Sequence, residues 1–263
     1  MEWTRPLQVG ARARMARVAP LVAALALVAP IALATVPPAA AAPGRAQPRI
    51  TVLAASSLVD VLPRVDPAPR YSFGGSDTLA SQIELGAPAD VFAAANTRLP
   101  ERLHRAGLVE QPVVFTANRL VLVVPKANPA GLRSVYDLRR AGVKLLVGAA
   151  TVPVGAYART ALARLGLTRV LDAVVSEESD ARSILGKVGL GEADAGFVYA
   201  TDARAFAGRV KVIALPAKAQ PEVRYAVAVV KSSGNRTGAV AFVRRLLSKT
   251  GQAKLVAAGF LAP

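Results

Sequence analysis

From Ile50 onward the chain alternates short apolar, β-branched runs with stretches whose apolar residues recur at helical spacing. No other feature restricts the fold as much. A strand that is apolar throughout must be covered on both faces, and helices in the connections supply the cover. Ile50 to Ala55 reads as the first strand, and Tyr71 to Phe73 as the second. Thr78 to Leu85 puts Leu79 and Ile83 on one face of a helix that stops at Gly86. Asp90 to Ala93 is a strand, and Arg98 to Ala106 is a helix with Pro100 in its first turn and Gly107 past its end. Val113 to Val124 reads as one long central strand. Leu145 to Gly148, Ala195 to Tyr199, Val210 to Ala214 and Tyr225 to Val230 are further strands. Helices are expected at Gly155 to Leu165, at Asp180 to Leu190 with Asp180 as N-cap, and at Gly238 to Leu247. The pattern predicts an α/β fold whose sheets are mostly parallel and flanked by helices.

Two of these strands, Val113 to Val124 and Tyr225 to Val230, lie about 100 residues apart, which is the size of a small domain. They are the natural places for the chain to cross between two lobes. Lobe I is then residues 49–123 and 226–263, and lobe II is residues 124–225, with a ligand cleft between them. No internal repeat is visible.

The N-terminal stretch has a different character. Arg5, Arg12, Arg14 and Arg17 precede an apolar run from Val18 to Thr35 that only Pro20 and Pro30 interrupt. Val36-Pro37-Pro38 and the small residues Ala39 to Ala42 follow, offering an Ala-x-Ala cleavage site near Ala41 or Ala42. Residues 1–42 therefore read as a signal peptide and residues 43–48 as a linker. A membrane anchor fits less well, because two prolines break a run that is barely long enough to span. The arginines are not adjacent, so nothing indicates a twin-arginine route. The sequence has no cysteine, which removes disulfides, thiolate metal sites and a lipid-modified cysteine tether. The expected location is periplasmic or otherwise extracytoplasmic.

The formal net charge is +16. Losing residues 1–42 would remove four Arg and one Glu, leaving 29 basic against 16 acidic residues, or +13. Such a field concentrates anions around the molecule. The basic residues are scattered and aromatics make up only 5%, so there is no stacking platform or basic helix for nucleic acid. A monomer that does not bind nucleic acid is expected.

Catalytic constellations are missing. His104 is the sole histidine and sits mid-helix, where a solvated face is expected. There is no Gly-x-Ser-x-Gly elbow and no Walker loop. Glu177, Glu178 and Asp180 read as a solvated loop leading into a helix cap. What remains is a set of hydroxyls and glycines where strands turn into helices: Ser56-Ser57, Gly74-Gly75-Ser76, Val152-Pro153-Val154-Gly155, Asp180-Ala181 and the strand end at Tyr199. Any one of these is ordinarily a helix cap. Together, in a chain without catalytic groups, they point to a ligand outside the carboxyl ends of the strands. Serine and tyrosine hydroxyls, backbone N–H groups and helix N-termini are all donors or partial positive charges. Such a set suits a small oxyanion, which accepts hydrogen bonds only. No cofactor is implied.

These stretches resemble the periplasmic molybdate-binding proteins of ABC transporters. The resemblance runs over nearly all of residues 50–260 and is carried by Thr51 to Leu58, Ser72 to Ile83, Gly86 to Phe92, Val152 to Ala158 and Gly191 to Ala203. It implies a two-lobed binding-protein fold that captures molybdate, and tungstate with it, for a membrane permease. It also implies a ligand set: the hydroxyls of Ser57, Ser76 and Tyr199 and the backbone N–H groups of Val154 and Ala181, holding the metal only through its oxygens. The alternatives are a carrier of another tetrahedral oxyanion, such as sulfate or phosphate, and an enzyme or sensor on the same fold. Two departures stand out. The segment from Ser57 to Ser76 is shorter than in the family, and Pro63 cuts its helix short. Asp77 stands where the family has a small neutral residue. Facing the ligand, its carboxylate would repel a dianion and favour a protonated anion such as hydrogen phosphate. Capping the helix, it would point away.

Overall fold

A computed structural model describes residues 49–263. The expected signal peptide and linker lie outside the described residues. Ten strands are present among those residues: β1 (Thr51–Ala55), β2 (Arg70–Gly74), β3 (Val91–Ala94), β4 (Val113–Asn118), β5 (Leu120–Pro125), β6 (Leu145–Gly148), β7 (Val174–Glu178), β8 (Ala195–Tyr199), β9 (Val210–Ala214) and β10 (Val223–Val229). The helices are α1 (Leu62–Val65), α2 (Ser76–Glu84), α3 (Arg98–Arg105), α4 (Pro153–Arg164), α5 (Ala181–Leu190), α6 (Ala200–Ala205), α7 (Arg236–Leu247) and α8 (Lys249–Ala257). No helix among the described residues is long and apolar enough to cross a membrane.

The strands form two five-stranded sheets, ordered β2-β1-β3-β10-β4 and β7-β6-β8-β5-β9. Each is the base of one lobe. In the first, β1 runs parallel to β2 and β3, whereas β10 is antiparallel to β3 and β4. In the second, β6 runs parallel to β7 and β8, whereas β5 is antiparallel to β8 and β9. The sheets are thus mixed rather than mostly parallel. Strands joined through helices stay parallel, and β5 and β10, the first strand after each crossing between lobes, run against them.

The run Val113 to Val124 is not one strand. β4 pairs with β10 in the first sheet, and β5 pairs with β8 and β9 in the second, so the chain changes sheets at Arg119. Leu120 to Val123 therefore belong to the second sheet and not to lobe I as expected. The return falls between β9 and β10, a few residues earlier than expected. A continuous apolar run carries no mark of where its pairing partner changes. The two crossing segments are tied by Gln220, whose Oε1 accepts from the Leu120 N–H (3.2 Å) and whose Nε2 donates to the Leu120 carbonyl (2.9 Å).

Strand alternation sorts the core. On β1, Leu53 joins Phe92 of β3 and Leu79, Ile83, Leu99 and Leu103, the apolar faces of α2 and α3. Val52 and Ala54 belong to the larger cluster that includes Phe115, Tyr225, Phe242 and Leu246 and continues through Leu122, Leu162, Ile184 and Phe197 of the second sheet. Each large side chain buried this way contributes about 1.5–3 kcal/mol.

Several elements depart from the expected pattern. The helix after β1 is reduced to a 3-10 turn, Ser56–Leu58, and the four residues of α1, in keeping with Pro63 in that segment. Helices α6 and α8 were not legible. Glu177 and Glu178 lie on strand β7 rather than on a loop; Glu178 is buried and takes the Lys187 ammonium at 2.7 Å, and Glu177 pairs with Arg159. His104 is half-buried rather than solvated, with Nδ1 3.1 Å from the Val109 carbonyl.

Candidate oxyanion site between the lobes

Three helices begin at one place, and a particular residue permits each start. Helix α2 follows Gly74-Gly75. A Cβ on Gly75 would sit 2.3 Å from the Ser179 carbonyl oxygen of the second lobe, so only glycine lets the two lobes touch there. Helix α4 opens with Pro153, which has no N–H to satisfy. Gly155 lets this helix start against the end of β6, since a Cβ there would lie 2.1 Å from the Gly148 carbonyl. Helix α5 is capped by Asp180, whose Oδ1 accepts from the N–H groups of Arg182 (2.7 Å) and Ser183 (3.1 Å). The N–H groups of Val154 and Ala181, in the first turns of α4 and α5, have no acceptor within their helices.

Ser57, Ser76, Val154, Ala181 and Tyr199 all line one cavity between these helix starts. The sequence places them on five separate segments, and the structure brings all five together. Each is at most 4% exposed, so a ligand among them would be largely removed from solvent. The cavity is small, on the scale of about one water molecule. Three helix N-termini give it partial positive charge.

The hydroxyls are primed as donors. The Ser76 Oγ accepts the Ala95 N–H at 3.1 Å, which leaves its own proton free to donate. The Tyr199 hydroxyl is buried and has no partner. Burial pushes this phenol well above its ordinary pKa, so it stays protonated. A buried hydroxyl without a partner costs about 1–3 kcal/mol.

Two carboxylates lie close by, and both are turned away. Asp180 lines the cavity, but its four hydrogen bonds run to its own helix and to the serines at 179 and 183. Asp77 is not part of the lining. Its Oδ2 accepts the Thr151 hydroxyl at 2.8 Å, bridging from α2 to the second lobe, and Oδ1 is buried without a partner. Asp77 is therefore a contact across the cleft rather than a group facing the ligand.

A model of the bacterial extracellular solute-binding protein family matches residues 68–261. The chain belongs to that family. The molybdate-binding protein ModA of Mycobacterium tuberculosis is 36% identical over 200 residues, covering 73% of each chain. ModA of Haemophilus influenzae is 34% identical over 236 residues, covering 82% of this chain and 91% of its own. The periplasmic molybdate-binding protein of Azotobacter vinelandii shares the fold, with a TM-score of 0.73 at 22% identity, over 82% of this chain and all of its own.

This solute-binding protein holds its lobes together with residues that carried no sequence signal. Arg182, one residue past Ala181, pairs with Asp60 of the first lobe and donates from Nε to Asp202 at 2.9 Å. Asp202 is fully buried, and burial raises its pKa to about 7 against the pull of Arg182. Ser57 lies 2.9 Å from the Tyr225 hydroxyl, 168 positions away. Nothing local in the sequence links those positions. Only the pairing of β10 with β3 and β4 places Tyr225 beneath the site.

Proposed function

We propose that this solute-binding protein captures molybdate, and tungstate with it, outside the cytoplasmic membrane and hands it to an ABC permease. The hydroxyls of Ser57, Ser76 and Tyr199 and the N–H groups of Val154 and Ala181 donate to the four oxygens. No side chain contacts the metal. The single observation that carries this reading is the cavity of buried donors in which the Tyr199 hydroxyl lacks a partner. Fully ionised tetrahedral anions fit such a set, since every group offers a proton and the oxygens only accept. The relatives named as molybdate-binding proteins support molybdate among these anions. In this reading residues 1–42 direct export and are removed, the lobes are residues 49–119 with 223–263 and residues 120–222, and the mature chain acts as a monomer by binding and release, without catalysis and without nucleic acid.

Calorimetric titration of the mature chain with molybdate, tungstate, sulfate and phosphate tests this. One molybdate per chain is expected, with tungstate close to it and sulfate and phosphate far weaker. Strong binding of sulfate or phosphate without a molybdate response would overturn the assignment.

A further inference from the structure

Ser57 has a partner beneath it that decides which way its proton points. The Asn118 side chain is oriented by its own backbone neighbour, because Oδ1 accepts the Arg119 N–H at 2.8 Å. Its Nδ2 therefore faces Thr201 Oγ1 (2.9 Å) and the Tyr225 hydroxyl oxygen (3.4 Å), and donates to both. With an N–H directed at its oxygen, the Tyr225 hydroxyl has one acceptor within reach, Ser57 Oγ at 2.9 Å. The phenol is buried, and burial raises its pKa well above the ordinary value, so it keeps its proton.

We propose that Tyr225, oriented by Asn118, is a specificity-determining positioning residue: it donates to Ser57 and so commits the Ser57 proton to the bound anion. The inference rests on the reading of the cavity as an oxyanion site. Ser57 and Tyr225 hold two hydroxyl protons between them. One is used in the bond that joins them, and Asn118 blocks the far side of Tyr225. The remaining proton is that of Ser57, which lines the cavity. A ligand that itself carries a hydroxyl, such as hydrogen phosphate, would there bring proton against proton. Ala95 N–H holds Ser76 in the same sense. The two serines, which in principle donate or accept, are thereby made donors. The ring contacts of Tyr225 with Tyr199 and Phe260, both at 5.7 Å between centroids, fix the phenol in place and do not depend on its hydroxyl.

A double-mutant cycle separates this role from a structural one. Tyr225→Phe keeps the ring and removes the donor, and is expected to weaken molybdate binding about tenfold. In a Ser57→Ala background the same change is expected to cost nothing further, because the proton it directs is gone. Normalised to molybdate affinity, hydrogen phosphate is expected to gain in Tyr225→Phe, since Ser57 is free to turn, whereas sulfate, which has no proton, gains nothing. Should Tyr225→Phe fail to fold, Asn118→Leu tests the same chain of bonds with the phenol intact and predicts the same gain of phosphate over sulfate. An equal loss in both backgrounds, or no change in the ratio of phosphate to sulfate, overturns the inference. Absence of any oxyanion binding by the unmodified chain overturns the functional reading instead.

Discussion

Tyr199 shows how a single residue can be kept at a cost to the fold. Its ring packs edge-on against Tyr157 and Tyr225, and its hydroxyl is buried with nothing to bond. Removing that hydroxyl removes an unsatisfied donor rather than a bond. Tyr199→Phe is therefore expected to leave the ligand-free protein as stable or more stable, by up to about 3 kcal/mol, in chemical denaturation. The same change is expected to weaken molybdate binding about tenfold or more by calorimetry, since it deletes a bond to a charged ligand. A ligand-free protein destabilised by this change would mean that the hydroxyl has a structural partner. The identity of this residue was legible in the sequence because Tyr ends an apolar strand at a helix junction. That its hydroxyl is unpaired was not, since that depends on every neighbour the fold brings near.

At the scale of elements, the starts of α2, α4 and α5 make the site, and the sequence marks each of them. Pro153 opens α4, Asp180 caps α5, and Gly75 precedes α2. Proline, aspartate and glycine act on their own backbone within a few residues, so their effect survives in a linear reading. What the linear reading lacks is the reason for Gly75. That position is where the first lobe meets the Ser179 carbonyl of the second, and the Asp77 bond to Thr151 lies beside it. Gly75→Ala is expected to hold the lobes apart and reduce anion affinity more than tenfold. The severe clash is with the other lobe, and within its own lobe the new Cβ meets only the Asp77 carboxylate, at 3.0 Å, so the ligand-free melting temperature should move little. Calorimetry with a parallel thermal melt checks both, and full affinity in this variant would show that the lobes need not close so tightly. Element β7 left no such mark, and α8 is marked only by its Ser248 cap. Glu177 and Glu178 are poor strand formers that tertiary pairing with β6 overrides, and Gly251 weakens the helical pattern of α8.

Across the whole molecule, Arg182 is shared between Asp60 of the first lobe and the buried Asp202 of the second. Burial raises Asp202 to about 7, so the folded chain keeps a proton that the unfolded chain gives up near the ordinary value of 3.8. Stability from this group is complete below that ordinary value and is lost as pH rises toward about 7. Asp202→Asn removes the titration and is expected to flatten this part of the curve. Melting temperatures of the two ligand-free proteins between about pH 4 and 8 check it. The unmodified chain should fall relative to Asp202→Asn as pH rises, and parallel curves would assign the pH dependence to other groups.

The alternation of strands and helices, the glycine, proline and aspartate that start the site's helices, and the junctions around the cavity are written in patterns a few residues long, because backbone geometry and side-chain caps act over that range. The choice of Ser57, Ser76, Val154, Ala181 and Tyr199 among those junctions came from the family resemblance and not from local spacing. Tertiary structure alone decided that the apolar run from Val113 breaks between two sheets at Arg119, that Asp77 reaches across to Thr151 instead of toward the ligand, and that Tyr225 lies under Ser57. Each depends on which distant segment becomes a neighbour. Strand pairing and lobe contact are set by burial over the whole chain, and no local spacing encodes them.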